Sequence, residues 1–252
     1  MKNPCCCCLF IIIFLASCAS QSVNPVEKKE IALATQRVGE GFYNTGNYSL
    51  ALKNLLEAYE TIPDDPYLNN SLGLVYLAKN RYDLAETHLR KAVELKKDYV
   101  DAKNNLGAAY LKQEKWSLAI ECFEDVSKNL IYAYPEIPFS NLGWAYFHQK
   151  KYEKSISYFN KSLEINPKFL ISIHGLASVY LETGGYLQAI DFLHQELKRD
   201  PAAAILHSDL AKAYEGINDF AKAKESWRTV LNFAPETSML AREAKKRLDE
   251  LN

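Results

Sequence analysis

Six cysteines and five histidines are the residues of this chain whose chemistry depends most on spacing, and five of the six cysteines fall in the first eighteen positions. The thiols of Cys5, Cys6, Cys7, Cys8 and Cys18 could pair, hold a metal, carry a covalent group or supply apolar bulk. A disulfide needs a partner at suitable geometry, and past residue 18 only Cys122 remains. Four adjacent cysteines cannot all face one ion, which disfavours a tetrahedral zinc site. His88, His148, His174, His194 and His207 show no H-E-x-x-H spacing. Cys122, between Glu121 and Phe123, reads as a packed thiol. No G-x-x-x-x-G-K, G-x-S-x-G or paired-cysteine zinc motif occurs, and Gly184-Gly185 marks a turn. The expectation is therefore a non-enzyme with no metal, no cofactor and no small-molecule substrate. A net charge of −1 supplies no basic field for nucleic acid.

The N-terminal cysteines belong to a different pattern. Lys2 precedes an unbroken apolar or cysteine run from residue 5 to residue 16. That run is shorter than the roughly 20 residues needed to cross a hydrocarbon core, and it ends in small residues. A short apolar run behind a positive charge reads as a signal peptide. Its end, Leu15-Ala16-Ser17-Cys18, resembles the bacterial lipobox. The resemblance implies cleavage before Cys18 and acylation of that cysteine, leaving residues 1–17 as a discarded signal. Each buried methylene contributes about 0.8 kcal/mol, and two or more acyl chains anchor a protein stably. Ala19 stands where an acidic residue commonly retains lipoproteins in the inner membrane, so the resemblance implies the periplasmic face of the outer membrane. Residues 18–31, polar and carrying Pro25, read as the lipidated cysteine and a tether.

The rest of the chain repeats. Gly39, Gly73, Gly107, Gly143, Ala177 and Ala211 follow one another at steps of 34, 34, 36, 34 and 34. Three residues past each stands an aromatic: Phe42, Tyr76, Tyr110, Tyr146, Tyr180, Tyr214. Twelve past each stands Ala51, Ala85, Ala119, Ser155, Ala189 or Ala223, and sixteen past each stands Leu55, Leu89, Phe123, Phe159, Leu193 or Trp227. This spacing resembles the tetratricopeptide pattern over residues 32–237. It predicts an all-α, right-handed solenoid of six helix pairs, each burying its apolar face on its neighbours. Small residues let paired helices approach, and the bulky series fills the space between them. Leu240, Ala244, Leu248 and Leu251, at helical spacing, predict a capping helix over residues 238–252.

The one step of 36 coincides with Tyr134-Pro135-Glu136 and Pro138. Two prolines three apart cannot both occupy a helix interior, so helix B of the third repeat ends early or runs into a longer loop. Leu130, Ile131, Tyr132, Tyr134, Pro135, Glu136, Asn141, Leu142 and Gly143 are similar to the mid-chain junction of the type IV pilus biogenesis and stability lipoproteins, the secretin pilotins. Those proteins also pair a lipobox with six tetratricopeptide repeats. What the resemblance implies is an outer-membrane scaffold in pilus biogenesis and motility, which binds the secretin subunit and promotes its assembly. A general cell-envelope adaptor, docking peptidoglycan enzymes or proteases, is the alternative left open.

Binding by such a solenoid falls to the concave face lined by helix A of each repeat. The pattern places its lining three before, one after and four after the small residue. Those positions are Gln36, Glu40 and Tyr43, then Asn70, Leu74 and Leu77, then Asn104, Ala108 and Leu111. Ser140, Trp144 and Phe147 follow, and then His174, Ser178 and Leu181. The partner-binding residues expected from this set are Asn70, Leu74, Leu77, Asn104, Ala108, Leu111, Trp144 and Phe147. They form an apolar trough suited to an amphipathic or extended segment. The amides are expected to bond a partner's backbone and Trp144 to anchor the contact. Glu40 occupies a position that is asparagine in the basic clamps gripping acidic carboxyl termini.

Overall fold

A computed structural model describes residues 24–251. Thirteen helices and no strand occur among them. Six pairs follow in order: α1 (Pro25–Asn44) with α2 (Tyr48–Tyr59), α3 (Pro66–Ala78) with α4 (Tyr82–Leu95), and α5 (Val100–Lys112) with α6 (Trp116–Ser127). Then come α7 (Glu136–His148) with α8 (Tyr152–Ile165), α9 (Leu170–Glu182) with α10 (Tyr186–Arg199), α11 (Ala204–Gly216) with α12 (Phe220–Phe233), and last α13 (Met239–Glu250). Each first helix packs on its own second helix and on the first helix of the next pair, while each second helix touches the pair that follows. Among the described residues no helix contacts one beyond the adjacent pair, so the array is held together by neighbours. The fold is a tetratricopeptide solenoid.

The register read from the sequence has a direct packing cause. A Cβ added at Gly73 would lie 2.4 Å from Leu89 Cγ, and one at Gly143 would lie 2.5 Å from Phe159 Cδ1. The residue sixteen places on therefore occupies the space that a side chain on the small residue would need. In the fifth and sixth pairs, Ala177 faces the same task with Leu193, and Ala211 with Trp227; all four are fully buried. Ser155 replaces the alanine of the second series because its Oγ donates to the Gly143 carbonyl at 2.8 Å.

Each turn between paired helices puts its pivot residue in the left-handed region, seven places past the small residue. These are Gly46, Asn80, Glu114, Lys150, Gly184 and Asn218, with φ between 57° and 78°. Glycine and asparagine tolerate that region; Glu114 and Lys150 are forced into it by the packing on either side.

At the long step, α6 ends at Ser127, two residues shorter than α4, α8, α10 and α12, and an eight-residue loop, 128–135, leads into α7. Pro135 sits at the N-cap and Pro138 in the first turn of α7, where its missing N–H has no intrahelical partner to lose. The loop holds Leu130 and Ile131 at 99% and 92% exposure.

Both ends of the array are specified locally. The structure corrects the expected tether: α1 begins at Pro25, inside residues 18–31. Asn24 accepts from the Val26 N–H at 3.0 Å, Pro25 takes the first position and Glu27 the first turn, all features that start a helix. Cys18 and the signal segment lie outside the described residues. At the other end, α13 buries Ala241 and Ala244 against Trp227 and Val230. Trp227 Nε1 donates to Glu215 at 2.7 Å, and Arg247 pairs with the same carboxylate.

Candidate functional site

The first helices of the pairs present one face whose side chains are neither core nor fully solvated. Glu40, Tyr43, Leu74, Leu77, Ala108, Leu111, Trp144 and Phe147 are all half-buried. This is what a face needs if it is to gain area on binding without being molten in the free protein.

The polar positions of this face have a structural task. Asn70 Oδ1 accepts from Asn105 Nδ2 at 2.9 Å, and Asn104 Oδ1 accepts from Asn141 Nδ2 at 3.1 Å. His174 Nδ1 lies 2.6 Å from Asp209 Oδ2 in the same relation. These contacts form a ladder that joins α3 to α5, α5 to α7 and α9 to α11. The oxygens of Asn70 and Asn104, expected to meet a partner's backbone, are thus engaged within the chain. At the junction from α7 to α9 the ladder lapses. Gly175 supplies no side chain there, and Ser140 Oγ is buried with no hydrogen-bond partner among the described residues. Gly175 serves packing instead: a Cβ on it would lie 2.3 Å from Phe159 Cζ.

Asp209 is 1% exposed. Burial pushes its carboxyl above the usual range, while the bond from His174 opposes that rise. Burial and the neighbouring Glu121 push the Cys122 thiol up to about 11. The thiolate is therefore scarce at neutral pH and the residue serves as packing. No group of three His, Cys, Asp or Glu able to hold a metal occurs among the described residues.

Trp144 is bound up with the core. Its ring meets Phe159 and Phe147 edge-on, both at 5.4 Å between centroids, and lies 5.4 Å from His174. Trp116 stacks on His148 beside it at 4.8 Å. Such contacts stabilise by about 0.5–1.5 kcal/mol each beyond area burial. Trp144 therefore packs α7 against α8 and α9 as well as offering an aromatic edge. Leu77 and Leu111 likewise pack on the N-terminal core.

Leu74 is placed differently. It lines a cavity of about 530 Å³ between α1, α3 and the start of α5, together with Leu33, Gln36, Glu40, Tyr43, Asp65, Tyr67, Asn70, Ser71 and Tyr99. This cavity lies at the N-terminal end of the array, away from Trp144. Gln36, Glu40 and Tyr43 fit the concave-face spacing. Tyr67 and Tyr99 do not: Tyr67 is in the first turn of α3 and Tyr99 is the N-cap of α5. Their signal was an aromatic residue at a helix start in two successive repeats, which the spacing rule does not sample. The two rings lie 5.2 Å apart. Burial, with smaller contributions from Asp101, Tyr67 and Glu40, pushes the Tyr99 hydroxyl up to about 12.

Comparison with known proteins agrees with this architecture. Models of the tetratricopeptide repeat match residues 138–169 and 73–114. No curated protein matches the chain significantly by sequence. Among solved structures, the chain is similar to PilF of Pseudomonas aeruginosa, with a TM-score of 0.66 and 21% identity over 87% of this chain and 99% of that one. It is similar to PilW, a type IV pilus biogenesis factor, with a TM-score of 0.74 and 17% identity over 86% of this chain and 99% of that one. A tetratricopeptide protein of Parabacteroides merdae superposes with a TM-score of 0.69 and 17% identity over 89% of both chains.

Proposed function

We propose that this tetratricopeptide solenoid is a lipoprotein of the outer membrane, facing the periplasm, that binds a type IV pilus secretin subunit and promotes its assembly. The observation that carries the reading is the extent of the likeness to PilF and PilW. It takes in 99% of each of those chains, so the whole solenoid and not a single repeat corresponds. The lipobox-like Leu15-Ala16-Ser17-Cys18 and the Tyr134-Pro135-Glu136 junction support it independently.

The work is done by binding. Acylation of Cys18 would hold the solenoid at the membrane, and the groove of the first helices would capture a segment of the secretin. Confinement raises the effective concentration of captured subunits and so favours ring formation there.

Deleting the gene and following secretin multimers by heat-resistant gel migration tests the proposal. Loss of multimers and of surface pili is expected. Normal multimers with normal pili would reject it.

A further inference from the structure

The N-terminal cavity has an uneven stock of hydrogen-bonding groups. Glu40 and Asp65 line it, and among the described residues no lysine or arginine does. The bonds these carboxylates accept come from uncharged groups. Gln36 Nε2 and Ser71 Oγ donate to Glu40 Oε1 at 2.9 and 2.7 Å, and the Leu68 N–H donates to Asp65 at 2.8 Å.

Gln36 is only 6% exposed, and its Oε1 has no hydrogen-bond partner among the described residues. Its Nε2 is committed to Glu40, so turning the amide over would set oxygen against carboxylate. A buried acceptor left open costs about 1–3 kcal/mol, and a donor that reached this oxygen from the cavity, which Gln36 lines, would remove that cost. The aromatic walls already engage one cation of the chain itself: Lys96 Nζ, outside the lining, donates to the Tyr67 hydroxyl at 2.8 Å and stands 4.8 Å from the centre of the Tyr67 ring and 5.3 Å from that of Tyr99.

We propose that this cavity is the seat for an arginine side chain of the captured partner segment, held by Glu40, Asp65 and the Gln36 amide oxygen against the tyrosine rings. Acceptors come from both α1 and the start of α3, an arrangement that matches the planar five-donor guanidinium better than a compact ammonium. An acidic carboxyl terminus is excluded by the same two carboxylates. The volume exceeds that of one guanidinium, leaving room for the backbone that carries it. This inference rests on the protein-binding reading and adds the chemistry its partner must bring.

The test uses two pentapeptides, acetyl-Ala-Leu-Arg-Ala-Leu-amide and its neutral isostere with citrulline for arginine, titrated into the purified protein and followed by amide chemical shifts. The arginine peptide should shift residues 36, 40, 71 and 99 and bind about tenfold tighter than the citrulline peptide. Glu40→Gln and Asp65→Asn should each remove most of that difference. Asn caps α3 as well as Asp does, so the second variant keeps its fold, and unchanged circular dichroism verifies this for both. Equal binding of the two peptides, or shifts confined to other repeats, would overturn the inference. The variants are also tested for secretin capture. Capture undiminished by Glu40→Gln would sink the arginine seat alone, whereas no capture by the unmodified protein would sink the wider reading.

Discussion

Gly73→Ala tests the packing logic on which the solenoid depends. The new Cβ would stand 2.4, 2.7 and 3.1 Å from Cγ, Cδ2 and Cδ1 of Leu89. Leu89 is fully buried and has no free rotamer to retreat into, so α3 and α4 must separate or Leu89 must leave its staggered well. Overpacking of this kind costs about 1–3 kcal/mol, while alanine recovers up to about 1 kcal/mol of helix propensity over glycine. Where the full propensity gain is realised, the net loss is about 0–2 kcal/mol, or up to roughly 8 °C in Tm for a chain of this size. Gly41→Ala is the control: nothing lies within 4 Å of a Cβ there, so the propensity term acts alone and Tm rises. Urea and thermal melts of both variants, with Leu89→Ala and the double variant, complete a cycle. Because Leu89→Ala removes the clashing atoms, the double variant should be less destabilised than the sum of the singles by about 1–3 kcal/mol. A Gly73→Ala protein as stable as Gly41→Ala, or an additive cycle, would refute the close-approach argument.

Lys150→Gly relieves a left-handed residue at about 1–2 kcal/mol of strain and gives back part of that in unfolded-state entropy. It should therefore raise the urea midpoint by the equivalent of about 0.5–1 kcal/mol. Glu215→Ala leaves the buried Trp227 N–H without its acceptor and Arg247 with Glu250 alone; about 2 kcal/mol should be lost, and amide exchange should report faster opening in α13. Burial, and then the charge of Lys91, hold the His88 imidazole below its usual range. The unfolded chain therefore binds the proton more readily, and stability falls as pH drops through 6.5 toward the depressed folded value. Urea midpoints at pH 7.5 and 5.5 should show a smaller decline in His88→Gln than in the unmodified protein.

The repeat was legible because packing writes it into residue size at fixed spacing. Gly73 with Leu89 and Gly143 with Phe159 are read from the chain as pairs sixteen apart and found in contact. The early end of α6 was legible because two prolines three apart cannot both occupy a helix interior; that Pro138 stands in the first turn of α7 was not read from the sequence. The start of α1 was not legible, because a polar segment carrying Pro25 reads as a tether, whereas Asn24 before the proline makes it a helix opener. The groove was legible only in part. Spacing identifies a face but not which of its side chains are already spent. Asn70 and Asn104 carry the right positions and use their oxygens to brace neighbouring helices, and Trp144 lies at the centre of an aromatic cluster that packs on Phe159. The N-terminal cavity depends on Tyr67 and Tyr99, whose rings meet only when two helix starts from successive repeats are brought together.

The central claim, that the inner face of the first helices grips a secretin segment, is tested most directly by site-specific photocrosslinking in cells. A photoreactive phenylalanine at Leu74, in the groove, is compared with one at Leu187, which is 67% exposed on the second helix of the fifth pair. Crosslinks to the secretin from position 74 and none from position 187 are the predicted result. Crosslinks from position 187 with none from position 74 would contradict the account.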